Sequence, residues 1–137
     1  MKRIFKWNLI CAMILLILGF TATSANAAYS GYYQLRNVGR STMFIDGMGR
    51  ADNGSDLSQW ANTTHYNSHW EFIRVSGNYY QLKNRSTGLF IDGMGRTSSG
   101  SVCGQWANTT HYNAQWEVIP DGNNIRLRNR ATGLYLD

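Results

Sequence analysis

The chain has 137 residues, of which 13 are lysine or arginine and 8 are aspartate or glutamate, and its formal net charge is +5. This length supplies the core of one domain and leaves no room for a second. The excess of positive charge is small, and three of the basic residues lie within the first six residues of the chain. The composition therefore excludes a basic surface that neutralises a nucleic-acid backbone.

Residues 1–27 have the organisation of a secretory signal peptide. They begin with three basic residues, which are Lys2, Arg3 and Lys6. Residues 9–20 form an uncharged apolar run, and Ala25-Asn26-Ala27 is a cleavage pattern. A bilayer-spanning helix needs about 20 apolar residues, so an uncleaved anchor is the less favoured alternative. The sequence predicts a secreted protein, extracellular or periplasmic, that has no membrane insertion after cleavage and folds through residues 28–137.

Cys103 is the single cysteine of residues 28–137, since Cys11 lies in the predicted signal peptide. The folded part therefore cannot form an internal disulfide and must be stabilised by packing alone. Cys103 also has no counterpart in the internal repeat described next, where Leu57 takes its position. We expect it to be a buried, small apolar residue without a nucleophilic role.

Internal repeats dominate the folded part of the chain. The segments Tyr-Tyr-Gln-Leu-Arg/Lys-Asn, Phe-Ile-Asp-Gly-Met-Gly-Arg and Gln-Trp-Ala-Asn-Thr-Thr-His-Tyr-Asn each occur twice, in the same order. The period is 46 residues from Asp46 to Asp92 and 45 residues from Asp92 to Asp137. The repeats therefore span approximately residues 32–78, 79–123 and 124–137, and the last of them is incomplete.

Short alternations of apolar and polar residues within each repeat predict β-strands. Tyr33 and Leu35 alternate with polar neighbours at the start of the first repeat, and Trp70 and Phe72 alternate with a glutamate at its end. Clusters of glycine, asparagine and serine between these segments predict turns. Helical periodicity of useful length is absent from the folded part of the sequence. We therefore expect an all-β fold in which Trp70 and its repeat counterpart Trp116 are core residues.

A four-strand repeat of this length fits either a propeller blade or one unit of a three-unit barrel, the β-trefoil. A propeller usually needs at least four blades, so the sequence favours the trefoil. The third unit contains only residues 124–137, which leaves the barrel about 30 residues short of closure. Unpaired strands and an open core are costly, so we expect a fragment of a longer product, or else a second copy that completes the barrel.

Three features of the repeats resemble the ricin-type β-trefoil lectins, which are also known as family 13 carbohydrate-binding modules. They are a strand-ending aspartate, a mid-repeat tryptophan and a closing Asn-x-x-Trp, found at Asp46, Asp92 and Asp137, at Trp60 and Trp106, and at residues 67–70 and 113–116. The resemblance covers residues 32–137 and implies a β-trefoil. The chain departs from the family pattern at Ser68 and Ala114, where a glutamine is usual, and it lacks the family's disulfides.

The resemblance implies one carbohydrate-binding site in each complete repeat. The implied site residues are Asp46, Trp60 and Asn67 in the first repeat, and Asp92, Trp106 and Asn113 in the second. In each site the carboxylate would accept from ring hydroxyls, the tryptophan would stack on the sugar, and the asparagine would donate and accept beside them. From the residues alone, other interpretations stay open. The tryptophans could be core residues, the aspartates could bond to the turn backbone, and the asparagines could tie loops to strands.

Five residues are secondary candidates for these sites, namely Tyr66, Tyr112, Arg50, Arg96 and Asp137. The tyrosines would form the outer wall of a pocket or only pack the loop. The arginines would favour acidic or sulfated polysaccharides if they faced the pocket; otherwise we expect them to be solvated or paired with a nearby aspartate. The sequence predicts no catalytic residue, no metal site and no cofactor, because the histidines lack ligand spacing and the glutamates occur singly.

These observations predict a secreted, non-enzymatic carbohydrate-binding domain that recognises poly- or oligosaccharides, and the resemblance favours galactose- or xylose-type sugars. A first alternative is the targeting module of a larger secreted enzyme that degrades polysaccharides, with its catalytic domain elsewhere in the full-length chain. A second alternative is a trefoil that binds a protein, as an interaction or inhibitor module.

Overall fold

The computed structural model describes residues 28–61, 64–107 and 110–137, where the chain folds into β-strands joined by short turns. In chain order the strands are β1 (Tyr32–Tyr33), β2 (Phe44–Asp46), β3 (Ser58–Trp60), β4 (Trp70–Ser76), β5 (Tyr79–Asn84), β6 (Phe90–Asp92), β7 (Gly104–Trp106), β8 (Trp116–Asp121) and β9 (Asn124–Asn129). The first and second 3₁₀ turns span Tyr66–Ser68 and Tyr112–Ala114. The predicted all-β fold is confirmed, whereas the predicted signal peptide, residues 1–27, lies outside the described residues.

Strand pairing follows the same scheme in both complete repeats. The first and fourth strands of each repeat pair with each other, β1 with β4 and β5 with β8. The two middle strands form a separate hairpin, β2 with β3 and β6 with β7. Antiparallel hairpins join consecutive repeats, β4 with β5 and β8 with β9. Each repeat is therefore a four-strand unit, and β9 is the first strand of the third.

The turns of the joining hairpins form where glycine supplies a positive φ angle. Gly77 (φ 51°) lies between β4 and β5, and Gly122 (φ 60°) lies between β8 and β9. Residues with a β-carbon rarely adopt this conformation, because the β-carbon meets the backbone. A glycine between two alternating segments therefore fixes where each hairpin reverses.

The core lies where the joining hairpins of the two repeats meet. Trp70 and Trp116 are its largest residues and are fully buried, as the alternation predicted. The other buried core residues are Phe72, Tyr80, Leu82, Ile91, Val118 and Leu127. Each indole N–H has a partner, since Trp70 donates to the Ile45 carbonyl at 3.0 Å and Trp116 donates to the Ile91 carbonyl at 2.9 Å. Both tryptophans thus connect the core to the strand that carries a candidate aspartate.

A loop of the first repeat, residues 53–57, runs along β7 of the second repeat, and we call it the crossing loop. The Gly54 N–H donates to the Gln105 carbonyl at 2.8 Å, and the Gln105 N–H donates to the Ser55 carbonyl at 2.9 Å. The Leu57 N–H donates to the carbonyl of Cys103 at 3.0 Å. Cys103 is half-buried against the core, and this burial raises the pKa of its thiol. The two repeats are therefore joined by backbone hydrogen bonds as well as by their hairpin.

Gln59 and Gln105 hold the same position in their repeats but lie in different environments. Gln105 is fully buried, and its Nε2 donates to the Gly47 carbonyl at 3.1 Å. Gly47 must be a glycine because a β-carbon there would lie 2.6 Å from Gln105 Oε1. Gln59 is exposed on β3, whose strand partner among the described residues is β2 alone. The two glutamines begin the same repeated segment, and the contact between the repeats accounts for their different burial.

An open pocket of about 510 Å³ lies between the loop of residues 98–102 and the last part of the chain. The core residue Trp116 lines it together with the partly buried Ile125 and Leu136, and with Asp137. Asp137 is exposed, and the segment before it is held by the Leu136 N–H, which donates to the Leu127 carbonyl at 2.9 Å.

No helix of the described ranges is long and apolar enough to cross a bilayer.

Candidate functional site

The candidate aspartate and tryptophan of each repeat lie on the same face of its middle hairpin. In the β2–β3 hairpin Phe44 is opposite Trp60, and Asp46 is opposite Ser58. Directly opposed residues of an antiparallel pair point to one face, and residues two apart on a strand share that face. Asp46 and Trp60 are thus diagonal neighbours. The β6–β7 hairpin repeats this register, with Asp92 opposite Gly104 and diagonal to Trp106.

The 3₁₀ turns bring the candidate asparagines to the same place. The Gly47 N–H donates to the Asn67 carbonyl at 2.9 Å, and in the second repeat the Gly93 N–H donates to the Asn113 carbonyl at 2.9 Å. The Asn67 side chain lies against Gly49, where a β-carbon would be 3.5 Å from its Nδ2. Because Gly47 and Gly49 follow Asp46 directly, the candidate Asp and Asn of each repeat meet at one turn, and the candidate Trp lies diagonally from the Asp on the adjoining hairpin.

The carboxylates of the candidate aspartates organise that turn. Asp46 Oδ1 accepts from the Met48 N–H, and Asp92 Oδ1 accepts from the Met94 N–H, both at 2.6 Å. Met48 and Met94 both have φ of 57°, a left-handed conformation that is uncommon for a residue with a side chain. The interpretation that these aspartates bond to the turn backbone therefore holds for one oxygen of each. The bond restricts the rotation of each carboxylate.

Burial is the dominant electrostatic influence on Asp92, which is only 4% exposed. Burial raises its pKa, while the Met94 N–H and the positive charge of His111 partly lower it. A carboxylate has a raised pKa where water is excluded, because the charged form loses hydration. The carboxylate of Asp92 is therefore protonated at a higher pH than an ordinary aspartate.

Two buried asparagines, which the sequence analysis did not single out as site residues, support the 3₁₀ turns from the next repeat. Asn84 Nδ2 donates to the Asn67 carbonyl at 2.7 Å, and Asn129 Nδ2 donates to the Asn113 carbonyl at 2.7 Å. Asn84 Oδ1 also accepts from two backbone N–H groups just beyond its strand. Buried polar side chains with satisfied hydrogen bonds fix local geometry strongly. Their signal in the sequence is the asparagine that ends each Leu-Lys/Arg-Asn segment.

The candidate tryptophans are surface residues. Trp60 is 53% exposed and Trp106 is 37% exposed, so neither belongs to the core. Trp106 is the more covered of the two because the crossing loop lies beside it, where a β-carbon on Gly54 would be 3.5 Å from Trp106 Cζ3. Exposed indole rings next to a fixed carboxylate offer a flat apolar platform beside a hydrogen-bond acceptor.

The secondary candidates Tyr66 and Tyr112 stack on arginines. The Arg85 guanidinium carbon lies 3.7 Å from the ring centroid of Tyr66, and that of Arg130 lies 4.0 Å from the centroid of Tyr112. The same arginines lie 4.7 Å from the centroid of Tyr32 and 4.3 Å from that of Tyr79, respectively. One ring face of each tyrosine is therefore covered by a guanidinium. Each tyrosine also directly precedes the candidate asparagine of its repeat.

The remaining secondary candidates have structural partners of their own. Arg50 Nη1 donates to the Asp56 carbonyl at 2.8 Å, and Arg96 Nη1 donates to the Val102 carbonyl. Arg96 also lies 4.0 Å from the carboxylate of Asp56 in an exposed ion pair. Both arginines thus close the loop that follows their Asp-Gly-Met-Gly turn. No group of three or more potential metal ligands is found in the described part of the chain.

Comparisons with known proteins bear on the family and the fold of the chain. A family described as ricin-type beta-trefoil lectin domain-like matches residues 19–106 and 66–137. The designed threefold-symmetric protein ThreeFoil has a similar structure, with a TM-score of 0.73 and 25% identity, over 77% of each chain. A comparison with curated protein sequences finds no match.

Two larger proteins contain a similar fold. A Polyporus squamosus lectin bound to the human-type influenza-binding epitope Neu5Acα2-6Galβ1-4GlcNAc has a TM-score of 0.69 and 16% identity, over 78% of this chain and 39% of the lectin. An exo-β-1,3-galactanase from Clostridium thermocellum has a TM-score of 0.67 and 21% identity, over 76% of this chain and 23% of the enzyme. These similarities confirm the predicted β-trefoil fold.

Proposed function

The chain belongs to the family of ricin-type β-trefoil lectin-like domains, and from this membership we propose that it is a secreted carbohydrate-binding module. Its ligands are poly- or oligosaccharides, which it binds at one site in each complete repeat. The observation that carries the proposal is that, in both repeats, an aspartate and an asparagine meet at one turn and an exposed tryptophan lies on the same hairpin face as the aspartate. This set matches the two kinds of surface on a sugar, which are C–H faces and hydroxyls.

Each residue of the site has a distinct task in this proposal. The sugar stacks on Trp60 in the first site and on Trp106 in the second. The carboxylate oxygen that is not bonded to the turn accepts from sugar hydroxyls, and charge-assisted bonds of this kind are about twice as strong as neutral ones. The asparagine side chain donates and accepts beside it. Because the turn is already fixed by its own hydrogen bonds, little conformational entropy is lost on binding.

A single site of this kind is weak. Covering one sugar face removes about 50 Å² of apolar surface, worth about 1.3 kcal/mol, and a few net hydrogen bonds add about 1 kcal/mol each. Association entropy offsets most of this gain, which leaves an affinity on the order of millimolar. Two sites on one rigid body raise the apparent affinity for a polymer through effective concentration. The ligand is therefore a repetitive polysaccharide or a cluster of glycans.

Affinity electrophoresis tests the proposal. We expect migration of the folded chain to be retarded in gels that contain β-1,3-galactan or xylan, and free galactose or xylose to reverse this at about millimolar concentration. Bovine serum albumin in the same gels is the control for non-specific drag. The absence of retardation on these polymers and on a panel of other plant, fungal and bacterial polysaccharides would contradict the proposal.

The pH dependence of the second site gives a separate prediction. In Asp46→Ala, where only the second site remains, we expect retention to weaken as the pH falls through the raised pKa of Asp92. Burial favours the neutral form of Asp92, so protonation removes the charge-assisted acceptor at a pH above the usual range of an aspartate. Retention is measured over a pH series, with near-ultraviolet circular dichroism to confirm folding, and constant retention down to the usual aspartate range would contradict the expectation.

A second candidate function is the targeting module of a larger enzyme. It is supported by the galactanase, in which the similar region is about a quarter of a longer chain. In that case the binding sites would be the same, and a catalytic domain would lie elsewhere in the full-length product. A hydrolysis assay with the complete reading frame on the polysaccharide that is retained separates the two candidates.

A further inference from the structure

The second site is bordered by a segment from the other repeat. The crossing loop, residues 53–57, lies along β7, the strand that ends in Trp106. Its backbone exchanges hydrogen bonds with Gln105, the residue before Trp106. The Asn53 Oδ1 then accepts from the N–H of Ala107, the residue after Trp106, at 2.8 Å. The stacking tryptophan of the second repeat is thus held from both sides by the first repeat.

The two polar groups of the Asn53 side chain differ in their hydrogen bonding, and the NH₂ group is the one that can contact a ligand. Its oxygen is committed to Ala107, so its NH₂ group is the part that can act on a bound molecule, and this group is a donor only. Asn53 is exposed, and the neighbouring Gly54 lies against the Trp106 ring, with a β-carbon position 3.5 Å from Cζ3. A sugar stacked on Trp106 would therefore bring its rim close to a fixed donor.

The first site is built differently, although its own residues are identical. In the second repeat the positions equivalent to Asn53 and Gly54 are Ser99 and Gly100, and the β-carbon position of Gly100 has no atom within 4 Å. Trp60 is also the more exposed of the two tryptophans. Its strand, β3, pairs with β2 alone among the described residues. Within residues 28–61, 64–107 and 110–137, a crossing loop is found beside the second site.

We propose that the second site is composite, and that Asn53 of the first repeat is a specificity-determining residue of it. Its NH₂ group donates to an acceptor oxygen on the rim of the sugar that stacks on Trp106. The second site then binds a sugar that carries this oxygen more tightly than the first site does, despite the identical Asp, Trp and Asn in both. This inference rests on the proposed carbohydrate-binding function.

The test uses two single-site proteins, Asp46→Ala for the second site and Asp92→Ala for the first, with retention measured on the polysaccharide that binds the unaltered chain. Adding Asn53→Ala is expected to weaken retention about five-fold in the Asp46→Ala protein, as for one net hydrogen bond, and to leave the Asp92→Ala protein unchanged. Ser99→Ala is the matched control and should change neither. Equal effects of Asn53→Ala on both proteins, or no effect on either, would overturn the composite site.

The variant Asn53→Asp tests whether Asn53 donates a hydrogen bond to the sugar or only holds the crossing loop in place. The aspartate keeps an oxygen for the Ala107 N–H and loses the NH₂ group, so we expect it to weaken the second site at least as much as alanine does. Wild-type retention in Asn53→Asp would show that the residue only holds the loop, and would overturn the proposal. If neither single-site protein nor the unaltered chain binds any polysaccharide, the carbohydrate-binding function itself fails, which is a different result.

Gly54 provides an independent measurement on the same loop. Gly54 and Gly100 have similar positive φ angles, 86° and 82°, so a replacement by asparagine strains both positions alike. Only the asparagine at position 54 would cover the Trp106 ring. We expect Gly54→Asn to weaken the second site and Gly100→Asn to leave it intact; equal retention in the two variants would contradict the placement of the loop over the site.

Discussion

Replacing Asp46 and Asp92 together by alanine is expected to abolish retention on polysaccharide. Each carboxylate has one oxygen fixed by the backbone of its own turn, at 2.6 Å, so the other is held in place for a sugar hydroxyl. Loss of a hydrogen bond to a charged group costs about 1.5–3 kcal/mol, which corresponds to a loss of affinity of about 10- to 150-fold per site. Each single variant should retain weak binding through the other repeat.

The double variant Asp46→Asn/Asp92→Asn is the matched control for the turn. An asparagine oxygen can still accept from Met48 or Met94, so the turn is preserved while the charge at the site is lost. We expect this variant to bind poorly and to unfold at the same temperature as the unaltered chain. Retention is measured by affinity electrophoresis, and thermal unfolding by circular dichroism. Full retention in the double alanine variant would remove these aspartates from the site.

Replacing Trp116 by alanine is expected to destabilise the fold by about 3–5 kcal/mol. Trp116 is 1% exposed, and its indole N–H donates to the Ile91 carbonyl at 2.9 Å. The replacement leaves a large cavity and an unpaired carbonyl at the strand that carries Asp92. A domain of this size has a total stability of about 5–15 kcal/mol, so this one side chain accounts for a large part of it.

Trp60→Ala is the matched control for the same chemical change at an exposed position. Because Trp60 lies on the surface, its loss should alter stability by no more than about 0.5 kcal/mol. It should, however, weaken sugar binding at the first site. Denaturant unfolding followed by far-ultraviolet circular dichroism measures both variants. Similar destabilisation by the two replacements would contradict the division into core and site tryptophans.

The sequence predicts the strands and the core tryptophans because their signals are local. The alternation around Trp70 and Trp116 places them on the inner face, and the structure buries both. The 46-residue period likewise predicts a repeated four-strand unit. The resemblance predicts the Asp, Trp and Asn of each repeat. The hairpin register explains why Asp46 and Trp60 lie diagonally on one face. Their role in binding remains a prediction.

The environment of repeated residues could not be predicted from the repeat itself. Gln59 and Gln105 begin the same nine-residue repeated segment, yet one is exposed and the other is fully buried. The difference comes from the crossing loop, whose contacts join residues about 50 positions apart and leave no local pattern. Asn53 was overlooked for the same reason, since its counterpart Ser99 differs and nothing in the repeat marks it as a neighbour of Trp106.

The crossing loop also affects how the protein folds. Its hydrogen bonds to Gln105, made by Gly54 and Ser55, join residues about 50 positions apart. The conformational entropy of the chain between them is lost before these bonds stabilise the fold. All-β proteins dominated by such non-local pairings fold in milliseconds to seconds, far more slowly than helical bundles of similar size. The β6–β7 hairpin of the second repeat reaches its final contacts only after the first repeat has positioned the crossing loop beside β7. We therefore expect the two repeats to fold as one cooperative unit.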